Sequence, residues 1–289
     1  MLARQILVDG FVVSALYALG AIGFTIIFGV SGVLNLAHGG IMVTAAMIAW
    51  FVALSAGRYW GALAGIGAGI GAAYLTYYLV VRPIKLSRHI AEEEKEIFIL
   101  TATLLWAIMM QEGLAYLFTS NPITVSPLVP GITDIFGVRT PSNELLIGGV
   151  ACLVIALLWF FVNRTKLGKS VLAAAINPRG LALLGFDLPR IHFIVWGIYG
   201  LLAGIAGVLL ATFIGASSDN VGDLTASAFS IVVFGGLGSV PGSLIAACII
   251  GYLETATAYL VTPSIREMPA LAILVLVLYV RPRGLLGRR

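Results

Sequence analysis

With 289 residues, 60% of them hydrophobic, only 10% charged and a mean hydropathy of +1.04, the chain is too apolar for a water-soluble domain; it has the composition of a polytopic helical membrane protein. Its apolar runs are continuous and rich in Gly and Ala, with no residue-by-residue alternation, which excludes a β-barrel and leaves helices as the spanning element. The formal net charge is only +4, concentrated in a few short segments, and no nucleic-acid partner is expected.

The first stretch, MLARQILVDGFVVSALYALGAIGFTIIFG, has one early Arg and no small-residue cleavage site, so it reads as a retained first span. Further apolar runs follow at 36–56, 61–81, 97–118, 145–162 and 191–215, then a long one at 224–261 and a last one at 266–280. At about 1.5 Å per residue the 224–261 run is too long to cross a core of about 30 Å once, and FGGLGSVPG breaks it near 234–242. The expectation is an all-α bundle of eight or nine passes with at least one interrupted helix, forming a single transmembrane domain over 1–289. Charge favours nine passes. Segments 82–96, 163–190 and the tail from 281 hold four, five and four of the seventeen Lys and Arg. They share the cytoplasmic side if the N-terminus lies outside and 224–261 crosses twice. Eight passes would put RPRGLLGRR on the wrong face.

Several features mark these spans. Asn35 and His38 stand at the entrance to the second run, flanked by glycines, where they could line a route or satisfy a freed backbone. GIGAGIG at 65–71 and the Gly200 and Gly204 pair have the small-residue spacing that lets helices pack closely. Glu112 and Glu254 are acids within spans, and an ionisable group there costs at least about 2.5 to 3.5 kcal/mol, so both are functional suspects. The outer connection 120–143 carries four prolines and reads as a turn-rich cap. Cys152 and Cys248 fall in apolar runs and read as packing residues. FGVSG at 28–32 and FGGLG at 234–238 share Phe-Gly-x-x-Gly, a possible internal repeat around a helix break. The glycines involved are Gly29, Gly32, Gly235, Gly236, Gly238 and, just beyond, Gly242.

The segment NRTKLGKSVLAAAINPRGLALLGFDLPR, 163–190, contains GKS but is no phosphate loop. Asn163 stands where the first glycine is required, and a membrane run precedes it instead of a strand. It reads as a short helix over Lys166 to Ile176, with Leu167, Val171, Leu172 and Ala175 on one side. Asn177 and Pro178 then cap a second helix, which Gly185 ends. Two readings fit this knob: a basic loop on anionic lipid, or a protein-docking element using the apolar LALLGF at 181–186.

RTKLGKSVLAAAINPRGLALLGFD resembles the cytoplasmic coupling loop of the ABC-importer permeases for branched-chain amino acids, the LivH type. GVLNLAHGG at 32–40, FGGLGSVPGSLIAACIIGYLE at 234–254 and YVRPRGLLGRR resemble further motifs of that family, in the same order along nearly the whole chain. Members commonly carry more charge where this chain has Ala173, Ala174 and Ala175, and a polar or acidic residue near Ile176. The resemblance implies a permease in the bacterial inner membrane, working with a second, related permease, two ATPases and a periplasmic binding protein. ATP and Mg would sit on the ATPases, with no cofactor or metal on this chain. It places the coupling surface on Arg164, Lys166, Gly168, Lys169, Asn177 and Gly185, with Lys169 as a contact cation. Relatives that import urea or short amides leave the substrate open. Two other classes remain. One is a proton-driven carrier using Glu112 or Glu254. The other, an intramembrane enzyme, is disfavoured because His38, His89 and His192 lie in separate segments and no Ser, His and acid set is visible.

Overall fold

A computed structural model describes residues 2–135, 137–281 and 283–287. The helices run α1 Leu2–Ser31, α2 His38–Ala56, α3 Arg58–Thr76, α4 Arg82–Leu86, α5 Lys95–Leu117, α6 Ser142–Arg164, α7 Lys166–Ile176 and α8 Pro178–Leu183. They continue as α9 Leu188–Phe213, α10 Val221–Gly235, α11 Val240–Leu260 and α12 Met268–Val280. A π-helical turn, Tyr77–Val81, joins α3 to α4. Its cause is Pro83, which lacks an N–H and whose ring would strike the carbonyl of Leu79 in a regular helix; the chain widens by one turn instead. Single 3₁₀ turns occupy Ser218–Asn220 and Pro263–Ile265. The one sheet among the described residues is a hairpin, β1 Ile132–Ile135 paired antiparallel with β2 Val138–Pro141.

α1 is the central post. Val12, Leu16, Leu19, Ile22, Phe24 and Ile27 are buried along it, and α6, α9, α10 and α11 pack around it. α2, α3 and α9 form a second tight group. A side chain at Gly65 would strike Ala45, Ala49 and Val208, and one at Gly69 would strike Gly204 and Gly200. The small-residue stripes therefore bring helices of this chain together, where van der Waals packing replaces the missing hydrophobic drive. Gly67 and Gly71, in the same GIGAGIG, face open space. α5, α6 and α12 leave much of their apolar surface exposed, for instance Leu105, Met109, Leu153, Leu157, Val275 and Leu276, as a membrane-facing bundle must.

Eight helices among the described residues are long and apolar enough to cross a membrane. α10, with 15 residues, extends only about 22 Å. It nonetheless lies on a ninth pass. The end of α9 meets the start of α6, where Asn143 Nδ2 donates to the Thr212 carbonyl at 3.1 Å. The start of α11 lies by the end of α1, with Gly238 against Gly29. Helix α1 ends beside the start of α9, where Ser31 Oγ is 3.0 Å from His192 Nδ1. The chain between α9 and α11 thus travels from one end of the bundle to the other, partly as the irregular stretch 214–220. The reading of 224–261 as two passes holds, although the second begins only at 240.

The basic segments gather at one end. Lys85 Nζ donates to the Ser31 carbonyl at 2.5 Å, capping α1, and Lys95 Nζ donates to the Lys85 carbonyl at 2.9 Å. Ala175 packs on Gly29, and Leu285 and Leu286 donate their N–H groups to Phe234 and Gly235. The expectation that these segments share one side of the bundle is met; the positive-inside rule would make that side the cytoplasmic one, with α1 starting outside. At the other end the cap is ordered. Ile123 and Ala216 exchange two 2.8 Å backbone bonds, Leu128 N donates to Asn143 Oδ1 at 2.9 Å, and Arg58 Nη1 donates to the Pro127 carbonyl at 2.9 Å.

Of the six glycines expected to break helices, three do so. Gly32 (φ 63°) ends α1, and Gly236 (φ 105°) and Gly238 (φ 79°) turn the chain between α10 and α11. Gly29, Gly235 and Gly242 instead lie within helices. They are contact positions: Gly235 abuts Gly242, where a β-carbon on either would strike backbone, and Gly29 lies in ordinary contact with Gly238. The two Phe-Gly-x-x-Gly segments each stand at a helix end and touch each other, but α1 continues to the fourth residue of its motif while α10 stops at the second.

Candidate functional site

Between Gly32, whose N–H still bonds to Phe28, and Ala37, whose carbonyl accepts from Ile41, residues 33–36 run through the interior outside any helix, so their polar groups need partners from elsewhere. Asn35 and His38, both fully buried, supply part of the solution. Asn35 Oδ1 accepts from Ala37 N at 3.1 Å, and its Nδ2 donates to Tyr199 Oη at 2.9 Å. Tyr199 Oη lies 3.0 Å from His38 Nδ1. Tyr199 Oη accepts from Asn35 and shares a second hydrogen bond with His38 Nδ1, whose direction follows the imidazole tautomer. Nε2 is buried without a protein partner beside a cavity of about 20 Å³, large enough for one water. Phe24 stacks on the imidazole at 5.3 Å.

Two threonines complete the break. Thr103 Oγ1 accepts from Leu36 N at 3.2 Å, and Thr225 Oγ1 accepts from Gly39 N at 2.9 Å while donating to the Val221 carbonyl at 2.8 Å. The start of α2 and the start of α10 are thereby tied together in the interior. Thr103, Tyr199 and Thr225 were not singled out in the sequence. Their only signal is that each is a hydroxyl within an apolar run.

Beside this junction a groove of about 280 Å³ opens between α5 and α10, lined by Leu36, Leu104, Ala107, Gln111, Thr225 and Phe229 among others. It is apolar apart from the amide and hydroxyl. Glu112, the next residue on α5, does not line it; its side chain is exposed on the outer surface of the helix. Glu254 lies elsewhere, on α11, 2% exposed, accepting a 2.5 Å hydrogen bond from Tyr17. The four interior candidates therefore separate into one interacting pair, Asn35 and His38, and two acids in different surroundings.

At the end where the basic segments gather, α7 and α8 form the expected capped corner. Thr165 Oγ1 accepts from Gly168 N at 2.9 Å, Asn177 Oδ1 from Gly180 N at 2.8 Å and Asp187 Oδ1 from Arg190 N at 3.4 Å. Gly185, at φ 83°, lets the chain turn out of α8. Of the four apolar residues placed on one side of α7, Val171 is buried, Ala175 partly buried, and Leu167 and Leu172 exposed. The buried line is Gly168, Val171 and Ala174, because Gly168 has no side chain and lies directly on Phe161 and Val162. Leu167, Leu172 and Ile176 turn outward. Gly168 thus shapes the corner, while Arg164, Lys166, Lys169 and Asn177 are exposed on its surface. Leu183 and Leu184, 90% and 77% exposed, stand at its tip with Phe186 half exposed beside them. GKS forms no anion cradle, since the N–H groups of Gly168 and Lys169 are bonded to Thr165 and Ser170 Oγ donates back to Leu167 at 2.9 Å.

Comparison with known proteins agrees with this arrangement. The chain is 30% identical to the branched-chain amino acid transport permease BraD of Pseudomonas aeruginosa, covering 98% of this chain and 95% of that one. It is 28% identical, over the same shares, to the permease LivH of Salmonella typhimurium. It is 25% identical to the ribose import permease RbsC of Escherichia coli, over 90% of this chain and 79% of that one. The fold resembles that of PsaBC from Streptococcus pneumoniae, solved in complex with Fab, with a TM-score of 0.52 and 14% identity over 98% and 93% of the two chains. Residues 6–278 match the family described as branched-chain amino acid transport system / permease component, and the chain belongs to that family of multi-pass membrane permeases.

Proposed function

We propose that this chain is one permease subunit of an ATP-driven importer in a bacterial inner membrane, moving branched-chain or other small aliphatic amino acids by alternating access. The observation that carries the reading is the capped α7–α8 corner. It is rigidly seated on α1 and α6, and it ends in solvent-exposed leucines that nothing in this chain covers among the described residues. A basic lipid anchor needs no such construction. Two ATPase subunits holding ATP and Mg grip this corner and its equivalent on a second, related permease. A periplasmic binding protein delivers substrate to the outer cap. The groove between α5 and α10 faces the second permease and forms one wall of the route, with Gln111 and Thr225 as its polar points.

The names of the relatives at 28% to 30% identity favour amino acids over urea or amides. A proton-driven carrier is less well supported, since Glu112 lies outside every cavity described. Proteoliposome uptake separates the readings. Labelled leucine enters vesicles holding the two permeases, the ATPases and the binding protein when ATP is supplied, and a pH gradient drives none through this chain alone. Uptake by the isolated chain on a pH gradient without ATP would refute the proposal.

A further inference from the structure

In the outer half of the bundle, apart from the groove of α5 and α10, a cavity of about 150 Å³ lies between α1, α9 and α11. Its polar lining comes from Asp9, Tyr17, Glu254, Thr255, Tyr259 and Arg266. The remainder is hydrocarbon, chiefly Val13, Leu16, Leu210, Phe213 and Ile214.

The acids are unevenly satisfied. Glu254 Oε2 accepts from Tyr17, but Oε1 is buried with no partner. Asp9 accepts from Tyr259 and also meets the Glu144 carboxyl. A carboxylate oxygen left without a donor in the membrane interior is costly, so this position calls for a hydrogen-bond donor, best a cationic one. Arg266, on the same cavity, has the fork of donors that suits a carboxylate. Its contact with Glu267 is a single 3.5 Å approach, which leaves most of those donors to other partners. A metal ion does not fit, because the described residues contain no cluster of three or more His, Cys, Asp or Glu able to hold one. The wall chemistry suits a branched aliphatic side chain.

We propose that this cavity is a binding site, within the single subunit, for a small aliphatic α-amino acid in its zwitterionic form. Glu254 receives the ammonium, Arg266 receives the carboxylate, and the side chain lies against Leu16, Leu210 and Phe213. The substrate class rests on the importer reading above; the site does not require that transport be ATP-driven. It shares no lining residue with the groove of α5 and α10, and all of its lining comes from this one chain.

The test is equilibrium binding of labelled leucine to the purified permease in nanodiscs without binding protein or ATPase. Competitors are leucinol, which lacks the carboxylate, and 4-methylpentanoate, which lacks the ammonium. Wild type binds leucine and prefers it to both competitors. Glu254→Gln and Arg266→Gln each weaken leucine about tenfold or more. Glu254→Gln does not alter 4-methylpentanoate, and Arg266→Gln does not alter leucinol. Ala258→Phe fills the cavity without touching its charges and abolishes binding; thermal melting confirms that the variant is folded. Leucine binding unchanged in all three variants, or absent in wild type, overturns the site while leaving the importer reading intact. Binding with this pattern in a chain that supports no ATP-driven uptake supports the site and removes the importer reading.

Discussion

Replacing Leu183 and Leu184 together by Asp leaves the chain folded and inserted but abolishes ATP-driven uptake. Both side chains are almost entirely in solvent, and the residues that seat the corner, Val171, Ala174 and Leu181, are untouched. A surface change of this kind shifts stability by no more than about 0.5 kcal/mol. A leucine fully buried at an interface contributes about 1.5 to 3 kcal/mol, so losing two and placing two carboxylates in the same pocket weakens ATPase docking by at least about a hundredfold. Co-purification of the ATPase and vesicle uptake read the two consequences, and thermal melting checks the fold. Uptake at the wild-type rate would mean that the leucines meet lipid or water and not a motor.

A second large effect belongs to the interior. Gly39→Val lowers stability by about 1 to 3 kcal/mol or more, because the added carbons collide with the Val221 carbonyl and with Thr225, where α2 and α10 are tied. It also breaks the bond from Gly39 N to Thr225 Oγ1, leaving a donor unsatisfied within the membrane. Gly67→Val is the comparison: its site on α3 is open, so the melting temperature of the isolated chain stays near wild type. Equal melting of the two variants would show that the junction of α2 and α10 is not a packed joint.

These two residues also show what the sequence could and could not reveal. The leucines follow Asn177-Pro178 closely, and capping is local chemistry, so the corner was legible from a few consecutive residues. Topology was legible for a related reason: thirteen of the seventeen basic residues fall in three segments, and the fold brings those segments to one end. Gly39 was visible only as one glycine among 34. Its partner Thr225 is 186 positions away, and no periodicity within either helix points to the other. Glu254 and Tyr17 are separated by 237 positions in the same way. Burial of acids was no easier to read. Glu112 and Glu254 both sit in apolar runs, yet one is exposed and the other enclosed, because α5 lies at the edge of the bundle and α11 against its central post. Which line of α7 is buried has a local cause. Amphipathic reasoning places the largest apolar residues inward, whereas here the absent side chain of Gly168 lets the helix rest on that line and turns Leu167 and Leu172 outward.

The corner of α7 and α8 as a handle for a separate motor can be tested by site-directed cross-linking. With Cys152 and Cys248 replaced by Ala, a single cysteine at position 184 is treated with a short photoactivatable thiol reagent in the assembled importer. The account predicts one cross-linked product with the ATPase subunit, its yield changing when ATP is added, and cysteine labelling of the free chain from the cytoplasmic side only. Labelling from the exterior, or cross-links confined to lipid with the complex assembled and active, would contradict it.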